Sequence, residues 1–180
     1  MCIHSALDCA IYLKNEHKIN PNDVVEVESR HPNQQLAKLT SIAQTRPSGY
    51  ALKFSAPFGI AMALIRGKAG IDEFAEHNYK DKEALELASK VKVTGYESDE
   101  FPKHLPGWVI IKMKDGNVYE HRIKFERGAI ENPTSDDEIK AKYYDNALRA
   151  LPRDKVKEIV TIVEDLEKLD DVSKLMRLCY

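Results

Sequence analysis

Phe54-Ser55-Ala56-Pro57-Phe58-Gly59-Ile60-Ala61-Met62-Ala63-Leu64-Ile65-Arg66 is apolar on every side, the pattern of a helix buried all round rather than one lying on a surface. Ser55 is placed to cap its first turn, Pro57 suits that turn because its missing N–H has no partner there anyway, and Gly67 stops it. The small residues Ala56, Gly59, Ala61 and Ala63 allow neighbouring backbones to come close. The chain is therefore expected to be built around this helix, packed on a sheet or beneath another helical layer.

Working outward, the clearest strands are residues 108–114 and 118–125, which flank Asp115-Gly116, a strong two-residue turn signal. Val109, Ile111 and Met113 alternate with Ile110 and Lys112, and Tyr119, His121, Ile123 and Phe125 alternate with Glu120, Arg122 and Lys124. Each set defines one face of a hairpin. Residues 91–96 read as a further strand. Residues 23–29 show a partial alternation of Val24, Val25 and Val27 with Glu26 and Glu28, ended by Arg30-His31-Pro32-Asn33. Residues 3–15 carry a helical repeat, short helices are expected over 71–76 and 81–90, and 34–48 reads as a polar functional loop or marginal helix. After Gly128 the chain turns helical. Ser135-Asp136-Asp137-Glu138 is a capping box, Pro152 restarts the chain, and a third helix is expected over 170–178. The fold class is α+β, with a small, mainly antiparallel sheet of about four strands, packed helices, and C-terminal helices.

Composition narrows the function. The 180 residues hold 43% hydrophobic side chains, enough for a real core. Lys+Arg 27 and Asp+Glu 29 are interspersed and leave a net charge of -2, so no nucleic-acid footprint is visible. No apolar run approaches the roughly 20 residues that span a bilayer, and no secretory leader is apparent, so a cytoplasmic location is expected and no membrane partner. Cys2, Cys9 and Cys179 have no CxxC spacing and are expected as reduced thiols. A Cys2–His4 nucleophile pair is disfavoured because residues two apart on a helix point to different faces. The sequence contains no Gly-rich phosphate loop, GxSxG, HExxH or paired Cys-and-His spacing, so no metal and no cofactor is indicated. Most of the six histidines are expected at the surface.

Three residues stand out as site candidates. His4 opens a helix with Asp8 one turn later, where a carboxylate can orient the imidazole. Lys53 precedes the buried helix and Arg46 lies in the polar connection. A cation beside a helix N-terminus suits a carboxylate ligand, because backbone amides and side chain both favour negative charge.

Taken together, several segments resemble the C-terminal half of the MmgE/PrpD family (2-methylcitrate dehydratase, cis-aconitate decarboxylase, iminodisuccinate epimerase). Cys2-Ile3-His4-Ser5-Ala6-Leu7-Asp8-Cys9-Ala10 is similar to the family's histidine-then-acid helix start. The run from Lys53 to Gly67 resembles its central helix. Gly128, Asn132-Pro133-Thr134-Ser135, Glu138 with Lys142-Tyr143, and Leu166-Glu167-Lys168-Leu169-Asp170-Asp171-Val172 resemble its later signatures in the same order. The resemblance implies a cofactor-free lyase or isomerase that moves a proton at a carbon next to a carboxylate of a small polycarboxylate substrate. It implies His4 as catalytic, and Arg46 and Lys53, from their place near a helix start, are the substrate-binding candidates beside it. It further implies that 1–127 form a lid-like α+β domain and that 128–180 pack on a helical domain outside this chain. That domain would supply most acid, base and carboxylate-binding groups. The chain is therefore expected to be inactive alone, to work with a helical-domain partner chain or as a homo-oligomer, and to leave Tyr143, Ile159 and Val163 without their natural cover. The alternative reading is a non-catalytic binding or self-association domain derived from that family.

Overall fold

The computed structural model of the chain describes residues 2–41 and 49–179. Its elements run α1 (His4–His17), β1 (Val24–His31), α2 (Gln34–Ser41), α3 (Gly49–Leu52), α4 (Ala56–Arg66), α5 (Lys82–Ser89), β2 (Val91–Gly95), β3 (Gly107–Met113), β4 (Val118–Ile123), α6 (Asp136–Ala147), α7 (Arg153–Glu164) and α8 (Ser173–Leu178). They fall into two compact units, Met1–Asn132 and Pro133–Tyr180. The division comes after Asn132 rather than after residue 127 because residues 128–132 fold back. Asn132 Nδ2 donates to the Phe125 carbonyl (2.9 Å) and the Gly128 amide donates to the Asn132 carbonyl (2.8 Å).

α4 is the expected central helix. Ser55 accepts from the Phe58 amide, Pro57 sits in the first turn, and Gly67 ends the helix at φ 73°. From Ala56 to Leu64 every residue is buried. With α1 it covers one face of a four-stranded sheet of order β2-β1-β3-β4. Leu13, Val27, Ile60, Leu64, Val109 and Ile111 are 0% exposed at the centre of this core.

The α+β expectation holds with one refinement: the sheet is mixed. β1 pairs antiparallel with β3, and β3 with β4, but β1 and β2 run parallel. Parallel neighbours require a long crossover, and the chain from α2 through α5 supplies it. The partial alternation in β1 also has a cause. Pairing with β3 jumps from Val24↔Met113 to Glu26↔Lys112, so Val25 is the extra residue of a bulge and is 53% exposed, while Val24 and Val27 both face the core. β1 also runs two residues beyond the expected end, and His31 is buried rather than terminating it.

The hairpin is present, with the apolar set in register: Val109↔His121 and Ile111↔Tyr119. Its turn differs from the two-residue form, which needs positive φ at both central residues. Here only Gly116 (φ 87°) takes that conformation, and the Gly116 amide closes the turn on the Met113 carbonyl. The opposite sheet face is a charged lattice. Glu26 on β1 receives Lys92 from β2 and Lys112 from β3. The hydrogen bonds from Lys112 and Lys92 pull its carboxyl down to about 2. In place of the helix expected over 71–76, residues 71–75 form turns and are followed by a short 3-10 segment, Glu76–Lys80. Among the described residues no helix is long and apolar enough to cross a membrane.

In the second unit the capping box is complete, with Ser135 and Glu138 each satisfying the other's backbone amide. Pro152 stands at the N-cap of α7. Val156 and Ile159 are buried, correcting the expectation that Ile159 lacks cover, while Ile139 (56%), Val163 (51%), Val172 (62%) and Met176 (49%) are exposed.

Two packing details generate predictions. Ser29 Oγ lies 3.2 Å from His31 Nε2 inside the sheet-helix core, and burial pushes His31 down to about 4 from 6.5. The unfolded ring binds its proton at higher pH than the folded one. The stability from keeping it neutral is therefore complete above about pH 6.5 and is lost as pH falls towards 4, by about 3 kcal/mol at roughly 1.4 kcal/mol per pH unit. Urea unfolding followed by the single tryptophan, Trp108, is expected to show this fall, and a His31→Gln variant to flatten it. At Gly107 an added Cβ would stand 2.5 Å from the Ser5 carbonyl carbon. Gly107→Ala is therefore expected to destabilise the first unit by about 1–3 kcal/mol, read as a lowered urea midpoint by circular dichroism.

Candidate functional site

α1 starts where the first residue of β3 meets the loops 97–106 and 124–132. Three contacts define the junction. Gly107 lies against the Ser5 backbone. The Ser5 hydroxyl, on a buried side chain, donates to the Leu105 carbonyl. Arg127 donates to Asp8 at 3.0 Å. The first turn of α4 reaches the same end of α1, for a Cβ on Gly59 would meet Leu7 Cδ2 at 2.8 Å.

His4 occupies the first helical position of α1 and is exposed. The preceding Ile3 provides no side-chain cap and the first turn contains no acidic residue. First-turn amides of a helix point outward with a partial positive charge, so an anion approaching His4 also approaches those amides. Asp8, expected from spacing to orient His4, holds the Arg127 guanidinium instead of standing as an isolated carboxylate. The structure thus adds a cation to this end of the helix that spacing alone did not reveal.

Lys53 is exposed on the turn between α3 and α4, its Nζ 6.0 Å from the centroid of the Tyr50 ring. The amide end of α4 is already capped by the buried Ser55, so no open helix start accompanies Lys53. Arg46 lies outside the described residues. His4 and Lys53 therefore begin or precede two helices whose first turns touch, but only the His4 helix start lacks a side-chain cap.

A buried group beside α1 was almost invisible to sequence reasoning. His104, expected at the surface with most other histidines, is 7% exposed. Its Nδ1 lies 3.5 Å from Glu126 and its Nε2 3.5 Å from Glu131, with the Phe125 ring edge-on at 4.8 Å. Burial alone would raise Glu126, but the amides of Leu105 and Glu126 and the His104 ring hold its carboxyl below the usual range. Glu131 is lowered by its own backbone amide and by Lys103 and His104. Glu126 also accepts from the Leu105 amide at 2.8 Å, and Leu105 is the residue whose carbonyl receives Ser5. The one cue in the sequence is a histidine inside a loop bounded by Pro102 and Pro106, a weak signal without the fold.

The one buried thiol at this junction is not set up as a nucleophile. Cys9 is buried and pushed up to about 12 by burial, which leaves no thiolate at neutral pH. Cys2 and Cys179 are exposed. Among the described residues no group of three His, Cys, Asp or Glu side chains is arranged to hold a metal ion.

Comparison with known proteins finds relatives among the cis-aconitate decarboxylases. The chain is 26% identical over 170 residues to the cis-aconitate decarboxylase of Homo sapiens, covering 93% of this chain and 34% of that protein. It is 28% identical over 137 residues to the cis-aconitate decarboxylase of Mus musculus, covering 73% of this chain and 27% of the relative. For the cis-aconitate decarboxylase of Aspergillus terreus the identity is 29% over 161 residues, covering 83% and 32%. The chain thus spans about a third, or less, of the length of these relatives. The family model described as the MmgE/PrpD C-terminal domain matches residues 1–168, and by that match the chain belongs to the MmgE/PrpD family, carrying its C-terminal domain.

Proposed function

We propose that this chain is the C-terminal part of a cofactor-free lyase acting on a small polycarboxylate, with His4 as its proton-transfer group. The observation that carries the reading is the exposed His4 at the start of α1, in a helix turn with no side-chain cap and no acidic residue. A carboxylate of the substrate would meet the first-turn amides, which leaves the imidazole to exchange a proton with the neighbouring carbon. The similarity to cis-aconitate decarboxylases favours decarboxylation as the reaction. Breaking the bond to the departing CO2 leaves an electron pair on carbon, and that carbon then takes up a proton. Lys53 and Arg46 remain candidates for further substrate carboxylates.

The second unit is proposed to dock on a helical-domain chain, or on a second copy of this chain, through Ile139, Val163, Val172 and Met176. The support is their exposure on helices that are otherwise well formed, together with the small share of the relatives that this chain spans. On this reading the chain has no turnover alone. A cytoplasmic location agrees with a small-acid substrate and remains part of the proposal.

Two outcomes are expected. Mixing the chain with a helical-domain chain from the same genome should release CO2 from cis-aconitate or dehydrate 2-methylcitrate. His4→Gln should then lower kcat about 10²–10⁴-fold with a smaller change in KM. Equal turnover by the variant would overturn the role of His4, and turnover by the isolated chain would overturn the need for a partner. Val163→Glu should weaken association at least about tenfold, measured by sedimentation, without changing Trp108 fluorescence. Association unaffected by this change would remove α7 from the docking surface, and binding of the chain without turnover in any mixture would favour the non-catalytic interaction domain.

A further inference from the structure

The group least explained by the proposed chemistry is His104. Its side chain is 8% exposed, its two ring nitrogens face Glu126 and Glu131 at 3.5 Å, and neither nitrogen has a hydrogen-bond partner among the described residues. A neutral imidazole donates from one nitrogen only and would turn its other lone pair towards a carboxylate. A ring carrying both protons meets an acceptor on each side, and a shortening of a few tenths of an ångström at each end makes two charge-assisted hydrogen bonds.

The surrounding charges agree with a bridging cation. Lys103 reaches Glu131 at 3.4 Å. Glu100, whose carbonyl accepts the His104 amide at 2.8 Å, turns its carboxylate to Ser98, Lys124 and Arg122. Arg127, next to Glu126 in the chain, is paired with Asp8. The carboxylates nearest the ring are therefore Glu126 and Glu131; Lys103 shares Glu131 with the ring, while Lys124, Arg122 and Arg127 pair with Glu100 and Asp8.

This cluster is connected to α1. Glu126 accepts the Leu105 amide, the Leu105 carbonyl accepts the Ser5 hydroxyl, and Ser5 follows His4 in the chain. Arg127 ties the same loop to Asp8, one helical turn further on. Whatever draws 97–106 onto 124–132 therefore also fixes the first turn of α1.

We propose that His104 is a positioning residue for the His4 site: when doubly protonated it bridges Glu126 and Glu131, clasps the two loops together, and through Leu105–Ser5 and Arg127–Asp8 holds the first turn of α1 in the pose that presents His4. The clasp rests on the reading of His4 given above only for its use, since its formation is measured without substrate. It makes the order of the α1 start depend on pH, tightest where His104 carries both protons.

Imidazole 15N NMR and amide hydrogen exchange on the full chain test this together. Gain of the second ring proton on His104 and a rise of about tenfold in the protection of the amides of residues 7–9, the first in α1 that have helical carbonyl partners, should follow one pH curve, tenfold being the scale of one charge-assisted hydrogen bond. His104→Gln should abolish the pH-dependent part of that protection. Glu131→Gln should move the common curve to lower pH while Trp108 fluorescence reports an intact sheet, which keeps the test available if His104→Gln fails to fold. His4→Gln should leave the curve in place. Protection that does not change with pH, or that loses its pH dependence in His4→Gln, overturns the proposal. A clasp that titrates as stated beside a His4 that turnover ignores would instead retain the clasp and reject the catalytic reading.

Discussion

The close approach of β3 to the start of α1 is the constraint on which the first unit depends. Gly107 has no side chain because the Ser5 backbone occupies the space where one would be. That contact puts the strand's first residue beneath the helix's first turn, and the Ser5–Leu105 hydrogen bond seals it. Because β3 pairs on both sides, with β1 and with β4, the position of α1 is referred to the whole sheet. α4 then packs on α1 and on the same sheet face, and its small residues let the backbones come near. The exposed His4 is thus carried by a buried frame, held by packing that it does not itself supply.

Elements whose residues interact locally were legible in the sequence. The Ser55 and Ser135 caps, the Gly67 stop and the α4 apolar run each act within one helix, and the structure has them where spacing puts them. The hairpin faces were legible for the same reason, since alternation fixes which side chains share a face. Its turn was not, because the Asp115-Gly116 signal does not distinguish a two-residue turn from one with a single left-handed glycine. Features that depend on distant partners were also missed. The parallel pairing of β1 with β2 joins segments far apart in the chain, with α2 to α5 between them. The Val25 bulge exists only relative to β3. Residues 71–76 have a helical apolar pattern, but 71–75 form turns instead, and the buried Glu73 carboxylate there accepts the Gly70 amide.

The site follows the same rule. His4 was legible because its position at a helix start is local, and the family resemblance added to it. Arg127, His104, Glu126 and Glu131 were not, because they come from two loops that the sheet brings to α1. Histidine is a common surface residue, and only burial between two carboxylates sets His104 apart. The two units also differ in kind. The first holds two buried apolar clusters, whereas in the second, among the described residues, only Val156 and Ile159 are buried hydrophobics and Ile139, Val163, Val172 and Met176 are exposed.

The central claim is that the uncapped start of α1, and not another end of the fold, receives a substrate carboxylate. Backbone amide shifts of the full chain titrated with cis-aconitate test it most directly. The account predicts the largest shifts at residues 4–7, with the His4 ring moving in parallel. Shifts concentrated around Lys53 and Tyr50, with residues 4–7 unmoved, would contradict it.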